Sequence, residues 1–282
     1  MKEFFRLQRV PRYKLANAPL PISQEFHRKF TLLADWGNSA HRLYVLGLFR
    51  NLVDIDRKLQ LVALAALARE GVLETIHSFH RTRAKGAFQP DLVDLYYLYD
   101  HIRKHRPKVV LELGSGISTA VMAHALAKNG EGHVFSLEAS EEWAKSTASS
   151  ITSDIRPYAT VQYRQPVAVN VLGHATYCFE DPPIDTAELI YIDGAAHDDA
   201  IFQGAENLDF MDLRPGTCIY IDSRVNAVEY FKRKMAAAER GTLATPLRYQ
   251  IHCYMVVVGG VPESPWTPFE IDQFSNTLVQ VV

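Results

Sequence analysis

The chain has little that would staple or anchor it. Its 282 residues include three cysteines, Cys178, Cys218 and Cys253, widely spaced and without a CxxC pair. That spacing excludes a disulfide framework and the usual zinc signatures, and it predicts buried thiols in a reducing compartment. Long apolar runs are missing too. The most apolar helical stretch, Leu59 to Leu67, is interrupted by Gln60 and closed by Arg69-Glu70, which is too short to cross a bilayer. Residues 1–10 lack the apolar segment of a signal peptide. Neither sign of charge dominates: 30 Lys and Arg stand against 32 Asp and Glu, a net −2. No global field therefore favours nucleic acid or an anionic membrane surface. The short basic runs His101–Arg106 and Lys232–Lys234 fall where helices should end, and cations there complement the helix dipole. Repeats and low-complexity tracts are absent. The expectation is a soluble, cytoplasmic protein with a small-molecule partner and with neither nucleic acid nor membrane as a partner.

What is present changes texture along the chain. Pro11, Pro19 and Pro21 exclude a long helix within residues 1–30. From Phe30 to Phe79 apolar residues recur at helical spacing, through Leu46, Phe49 and Leu52–Val53, then Leu61–Val62, Leu64–Ala65 and Leu67–Ala68. Arg81–Ala87 reads as an exposed connector. Residues 1–87 are therefore predicted to be an N-terminal helical extension, and residues 88–282 the main domain. Pro90 or Asp91 opens a helix through Leu92, Leu95, Tyr96 and Tyr99 that ends at His105-Arg-Pro107. Short β-branched runs then alternate with helical patterns. Strands are predicted at Val109–Leu113, His133–Glu138, Thr160–Arg164, Leu189–Asp193 and Thr217–Asp222, with helices at Ser118–Lys128, through Trp143, and from about Val225 to Arg240. Two more strands, Tyr249–Val258 and Thr277–Val282, follow without a helix between them. This order predicts a Rossmann-like, doubly wound α/β fold: a mostly parallel seven-stranded sheet with an antiparallel edge.

The first predicted strand runs directly into Gly114-Ser115-Gly116 and then a helix. Glycines there let the backbone turn sharply and let a ligand approach main-chain N–H groups. The helix N-terminus offers unpaired donors to a carboxylate or phosphate. A tight turn that binds nothing has the same pattern. Glu138 ends the second strand, 22 positions after Gly116, near the roughly 20 expected of an acid that accepts ribose hydroxyls. Its alternative is to cap the helix at Ser140-Glu-Glu-Trp143. Both features suit a nicotinamide dinucleotide as well as S-adenosylmethionine. The dinucleotide fingerprint calls for a third glycine where Thr119 stands, and Glu112 lies two residues before the first glycine. An acid there suits the cationic amino-acid end of S-adenosylmethionine and opposes a pyrophosphate.

Glu112-Leu-Gly-Ser-Gly-Ile-Ser118 resembles motif I of class I S-adenosylmethionine-dependent methyltransferases. Tyr191-Ile-Asp-Gly194 and Arg214-Pro-Gly-Thr-Cys-Ile-Tyr-Ile-Asp222 resemble later motifs of that superfamily, in its small-molecule O-methyltransferase-like branch. The resemblance runs from about Phe88 to Val282. It implies S-adenosylmethionine as cofactor, held by Glu112, Gly114, Ser115, Gly116, Glu138 and Asp193, with Asp193 facing the reacting centre as well. It also implies methyl transfer to an oxygen of a small hydroxylated acceptor.

Cation-dependent O-methyltransferases carry an Asp and then an Asp-Asn pair at the strand ends where this chain has Asp193 and Asp222-Ser223. A serine hydroxyl is a weaker ligand than an amide oxygen, so no metal is expected. His197 follows Asp193-Gly-Ala-Ala. It or Asp193 could take the acceptor's proton, since histidine titrates near neutrality; an exposed loop histidine is the plainer alternative. Tyr177 and Trp143 could stack on adenine or the acceptor, or simply pack under a loop. The N-terminal helices would cover the acceptor pocket or mediate a homodimer. Two rival readings are an NAD-dependent oxidoreductase and a non-catalytic nucleoside-binding or scaffold protein of the same fold.

Overall fold

Five parallel strands form the centre of the computed structural model, which describes residues 60–61, 63–83, 91–181, 186–222, 226–227, 230–231, 233–234, 241–244 and 253–258. In chain order the strands are β1 (Val109–Leu113), β2 (His133–Glu138), β3 (Ala159–Tyr163), β4 (Pro166–Val171), β5 (His174–Phe179), β6 (Leu189–Ile192), β7 (Cys218–Asp222), β8 (Gly241–Ala244) and β9 (Cys253–Val258). All but β4 and β5 join one seven-stranded sheet in the order β3-β2-β1-β6-β7-β9-β8. Neighbours are parallel from β3 to β7, and β9 runs antiparallel to both β7 and β8. The predicted doubly wound sheet is present, with its antiparallel strand one place in from the edge. The seventh strand is β8, a segment with no strand signal in the sequence; Thr277–Val282, expected in that role, lies outside the described residues.

Helices α1 (Val72–Thr82), α2 (Leu92–His105), α3 (Ile117–Asn129) and α4 (Glu141–Ser150) start and stop for local reasons. Asp91 accepts from the N–H groups of Val93 and Asp94 at 2.9 and 3.1 Å, and Ser140 accepts from that of Trp143; both are side-chain caps for orphan helix donors. Gly130, with φ of 72°, closes α3 in the left-handed conformation that favours glycine. No helix among the described residues is long and apolar enough to cross a membrane.

Strand alternation sorts the core into two layers. Val110, Val134, Leu189, Tyr191, Cys218 and Tyr220 face α1, α2 and α3. Leu67, Val72, Ile76 and Phe79 join that same layer, so the end of the predicted N-terminal extension packs as part of the sheet's own core. Residues 1–59 lie outside the described residues. The other face carries Leu111, Leu113, Leu137, Ile190, Ile192, Ile219 and Ile221. It is covered by the β4–β5 hairpin, the 3₁₀ turn Ala205–Phe210 and the side chains of Ala227, Tyr230 and Phe231.

The hairpin was not foreseen. Its two-residue tip, Leu172–Gly173, has positive φ at both positions (52° and 81°), the geometry that matches strand twist. A leucine where asparagine is usual hides it in the sequence. A buried polar network pins the hairpin to the segment after β6. The fully buried Glu206 carboxylate accepts from Thr176 Oγ1 (2.7 Å), Phe202 N (3.2 Å) and Gly204 N (2.7 Å). Asn207 Oδ1 accepts from Phe179 N at 2.8 Å.

Candidate active site

The order of strands reverses between β1 and β6, and ligands of open α/β sheets bind outside the carboxyl ends at that switch point. Register aligns those ends: Leu113 pairs with both Leu137 and Ile192, and Ile192 pairs with Ile221. The residues that follow, Gly114, Glu138, Asp193 and Asp222, therefore share one edge of the sheet. Gly114 and Gly194 touch across the switch point. Gly114 has φ of +98°, and a Cβ on it would lie 2.7 Å from Gly194 N. Asp193 N and Gly194 N both donate to Leu113 O, at 2.9 and 2.6 Å, which ties β6's exit to β1's.

Gly116 differs from Gly114. Its φ of 177° is extended backbone, and nothing lies within 4 Å of where a Cβ would stand. The open space is at Gly116 and the tight packing at Gly114, a distinction the GxG spelling does not carry. The turn's own donors are spent on side chains. Ser115 N donates to Glu138 Oε2 at 3.0 Å, and Gly116 N donates to Thr119 Oγ1 at 3.1 Å. A phosphate cradle needs such N–H groups pointed at its ligand. Thr119, noticed in the sequence only as a missing glycine, is what closes one of them.

Glu112 has a different task from the expected one. It is fully buried beneath α3, where its two oxygens lie 2.5 Å from Ser118 Oγ and Thr119 Oγ1, one hydrogen bond to each. Burial pushes its pKa up to about 8, against the lowering pull of the Ser118, Thr119 and Ser136 hydroxyls, with the Asp193 charge adding to the rise. At neutral pH it is mostly a neutral acid holding the first turn of α3. It offers no negative charge to the crevice, so the sign argument against a pyrophosphate passes to the satisfied N–H groups. Glu138 stands at the end of β2 at the switch-point edge, and its Oε1 accepts from Ser140 N at 3.1 Å, ahead of α4, the local capping given above as the alternative to a ligand.

On the β6 side, His197 is exposed and its ring stacks on Tyr177 of β5, centroids 4.2 Å apart at 26°. Its Nδ1 accepts from Asp199 N at 3.1 Å. The neutral ring therefore carries its proton on Nε2 and presents a donor there. The hairpin thus brings Tyr177 to the loop after β6, while Trp143 sits exposed in the first turn of α4. Asp193 and Asp222 are half-buried at adjacent strand ends; Ser223 lies outside the described residues. Among the described residues no group of three or more His, Cys, Asp or Glu side chains could hold a metal ion.

Residues 111–223 match the model of a family described as a methyltransferase domain. Over that stretch, which holds the glycine turn and the ends of β2, β6 and β7, the chain is similar to methyltransferase domains. No curated protein matches the chain. Solved structures with a similar chain course include an O-methyltransferase from Bacillus cereus in complex with SAH, 19% identical over 65% of this chain and 89% of that one, TM-score 0.44. Another is an SAH-bound methyltransferase from Podospora anserina, 14% identical over 66% and 88%, TM-score 0.46. A third is an O-methyltransferase from Streptomyces achromogenes in complex with SAM, 15% identical over 61% and 82%, TM-score 0.42.

Proposed function

We propose that the chain methylates an oxygen of a small hydroxylated acceptor, with S-adenosylmethionine bound across the β1–β6 switch point. The observation that carries this reading is how the glycine turn spends its donors. Ser115 N and Gly116 N are closed by Glu138 and Thr119, while the space beside Gly116 is open. A pyrophosphate finds no free backbone cradle in that pair, whereas a nucleoside can lie against Gly116 with Glu138 within reach of its ribose hydroxyls. This fits the methyl donor better than NAD.

In this reading Gly114, Ser115, Gly116 and Glu138 form the donor side, and Glu112 shapes it from below. The bound donor would supply an electrophilic sulfonium methyl, which an acceptor oxygen takes as its own proton leaves. Asp193 is the residue assigned to receive that proton. His197, with its proton held on Nε2, would donate to and orient the acceptor oxygen rather than act as base. Bringing two substrates together in one crevice supplies much of the rate. The test is calorimetry of S-adenosylmethionine and NAD against wild type and Glu138→Ala. Losing charge-assisted bonds worth about 1.5–3 kcal/mol should weaken the methyl donor roughly 10- to 150-fold. Tighter binding of NAD would revive the oxidoreductase reading. Donor binding with no SAH formed from any hydroxylated acceptor would support the non-catalytic one.

A further inference from the structure

The Glu138 carboxylate already has three donors. Oε2 accepts from Ser115 N and from Ser115 Oγ, both at 3.0 Å, and Oε1 accepts from Ser140 N at 3.1 Å. An ionised carboxylate offers about four acceptor positions. A ribose diol brings two further O–H donors, one more than the remaining place can take. One present donor must yield. Two of them are main-chain N–H groups, fixed by the β1–α3 turn and by the approach to α4. The third is a hydroxyl that can rotate.

That hydroxyl has somewhere to go. Ser115 Oγ lies 3.2 Å from Thr147 Oγ1, and Thr147 is 2% exposed on α4. Ser115 owns one hydroxyl proton and has two acceptors in reach, so it can serve only one at a time. We propose that Ser115 and Thr147 are positioning residues for the nucleoside: the Ser115 hydroxyl holds Glu138 in its rotamer, then turns to Thr147 Oγ1 when a ribose diol arrives. The exchange leaves no buried polar group unpaired, which is the condition for it to be inexpensive. It rests on the reading that Glu138 takes the ribose of the donor.

The reasoning gives Thr147 a role that appears only through Ser115. Thr147→Val keeps the shape and removes the second acceptor. A yielding Ser115 hydroxyl is then stranded, and affinity for S-adenosylhomocysteine, the probe, should fall about 5- to 50-fold by calorimetry. Thr147→Ser keeps the hydroxyl and should bind like wild type. Ser115→Ala loses the hold on Glu138 and should bind a few-fold more weakly than wild type, and it is the reference against which the double variant is read. The decisive variant is the double one: with no hydroxyl to strand, Ser115→Ala in the Thr147→Val background should restore binding to within about threefold of Ser115→Ala alone. Unchanged affinity in Thr147→Val, or a double variant as weak as Thr147→Val, overturns the proposal and leaves donor binding at Glu138 intact. Wild type that binds no adenosyl probe at all overturns the donor-site reading, and the proposal with it.

Discussion

Glu112→Gln should change the pH dependence of stability in a direction the structure dictates. The wild-type carboxyl is fully buried and its folded pKa is pushed up to about 8 from an ordinary 4.5. Between those values the folded protein keeps a proton that the unfolded chain has lost. Stability is therefore fully present below the unfolded value and drains as pH rises, by about 1.4 kcal/mol per pH unit, levelling off above about pH 8. From about pH 5 to about pH 7.5 the group removes roughly 3 kcal/mol. Glutamine cannot titrate. Its amide can still accept from one of the Ser118 and Thr119 hydroxyls and donate to the other, at a cost of about 1 kcal/mol for imperfect geometry. The variant should be slightly less stable than wild type near pH 5 and about 2 kcal/mol more stable near pH 7.5. Urea denaturation followed by circular dichroism across that range measures the difference, and taking the difference cancels other titrating groups such as the half-buried His101, whose pKa desolvation lowers to about 3. A wild-type-minus-variant difference that stays constant with pH would refute the argument, because it would mean the three hydroxyls hold Glu112 as an ordinary ionised carboxylate. Donor affinity supplies a second check: Glu112→Gln should stay within a few-fold of wild type, and a hundredfold loss would return Glu112 to direct contact with the ligand.

What the sequence disclosed and what it hid follow from how local each signal is. β1 and β2 were legible to the residue because buried parallel strands are short apolar runs stopped by Gly or an acid, as at Leu113-Gly114 and Glu138. The β4–β5 hairpin was not, since its tip uses Leu172 in a left-handed conformation whose stability comes from distant Glu206 and Asn207. Site residues divide the same way. That Gly114, Glu138 and Asp193 share an edge follows from strand ends alone. The direction in which Glu112 points was available from period-two alternation, since it shares a face with Val110, under α3, and not with Leu113. A charged residue beside a glycine turn nevertheless invites a ligand, because only the fold shows that Ser118, Thr119 and Ser136 converge on it. Likewise the Tyr177–His197 stack joins β5 to the loop after β6, twenty residues apart, through a hairpin that no local pattern announced.

Four further outcomes test the site and its support. Gly114→Ala, at φ of +98° and 2.7 Å from Gly194 N, should lose more than about 2 kcal/mol of stability. Gly116→Val, extended and facing open space, should melt like wild type yet lose donor binding by calorimetry; normal binding there would move the ligand away from this turn. Glu206→Ala strips the acceptor from Thr176, Phe202 N and Gly204 N and should cost about 3 kcal/mol. Amide exchange should then accelerate first in β4 and β5, and retained protection there would show that the hairpin does not depend on this anchor. Methyl transfer should survive a chelator. Asp193 and Asp222 stand at neighbouring strand ends, but two carboxylates leave a Mg²⁺ ion mostly water-coordinated and quick to exchange. Excess EDTA would strip such an ion, so product formation with a hydroxylated acceptor reports any true requirement. The expected change is less than about twofold. Activity abolished by EDTA and restored by added Mg²⁺ would make Asp193 and Asp222 metal ligands and remove Asp193 as the proton acceptor. Activity that survives EDTA but collapses in Asp193→Asn, with donor affinity unchanged, is the result this geometry calls for.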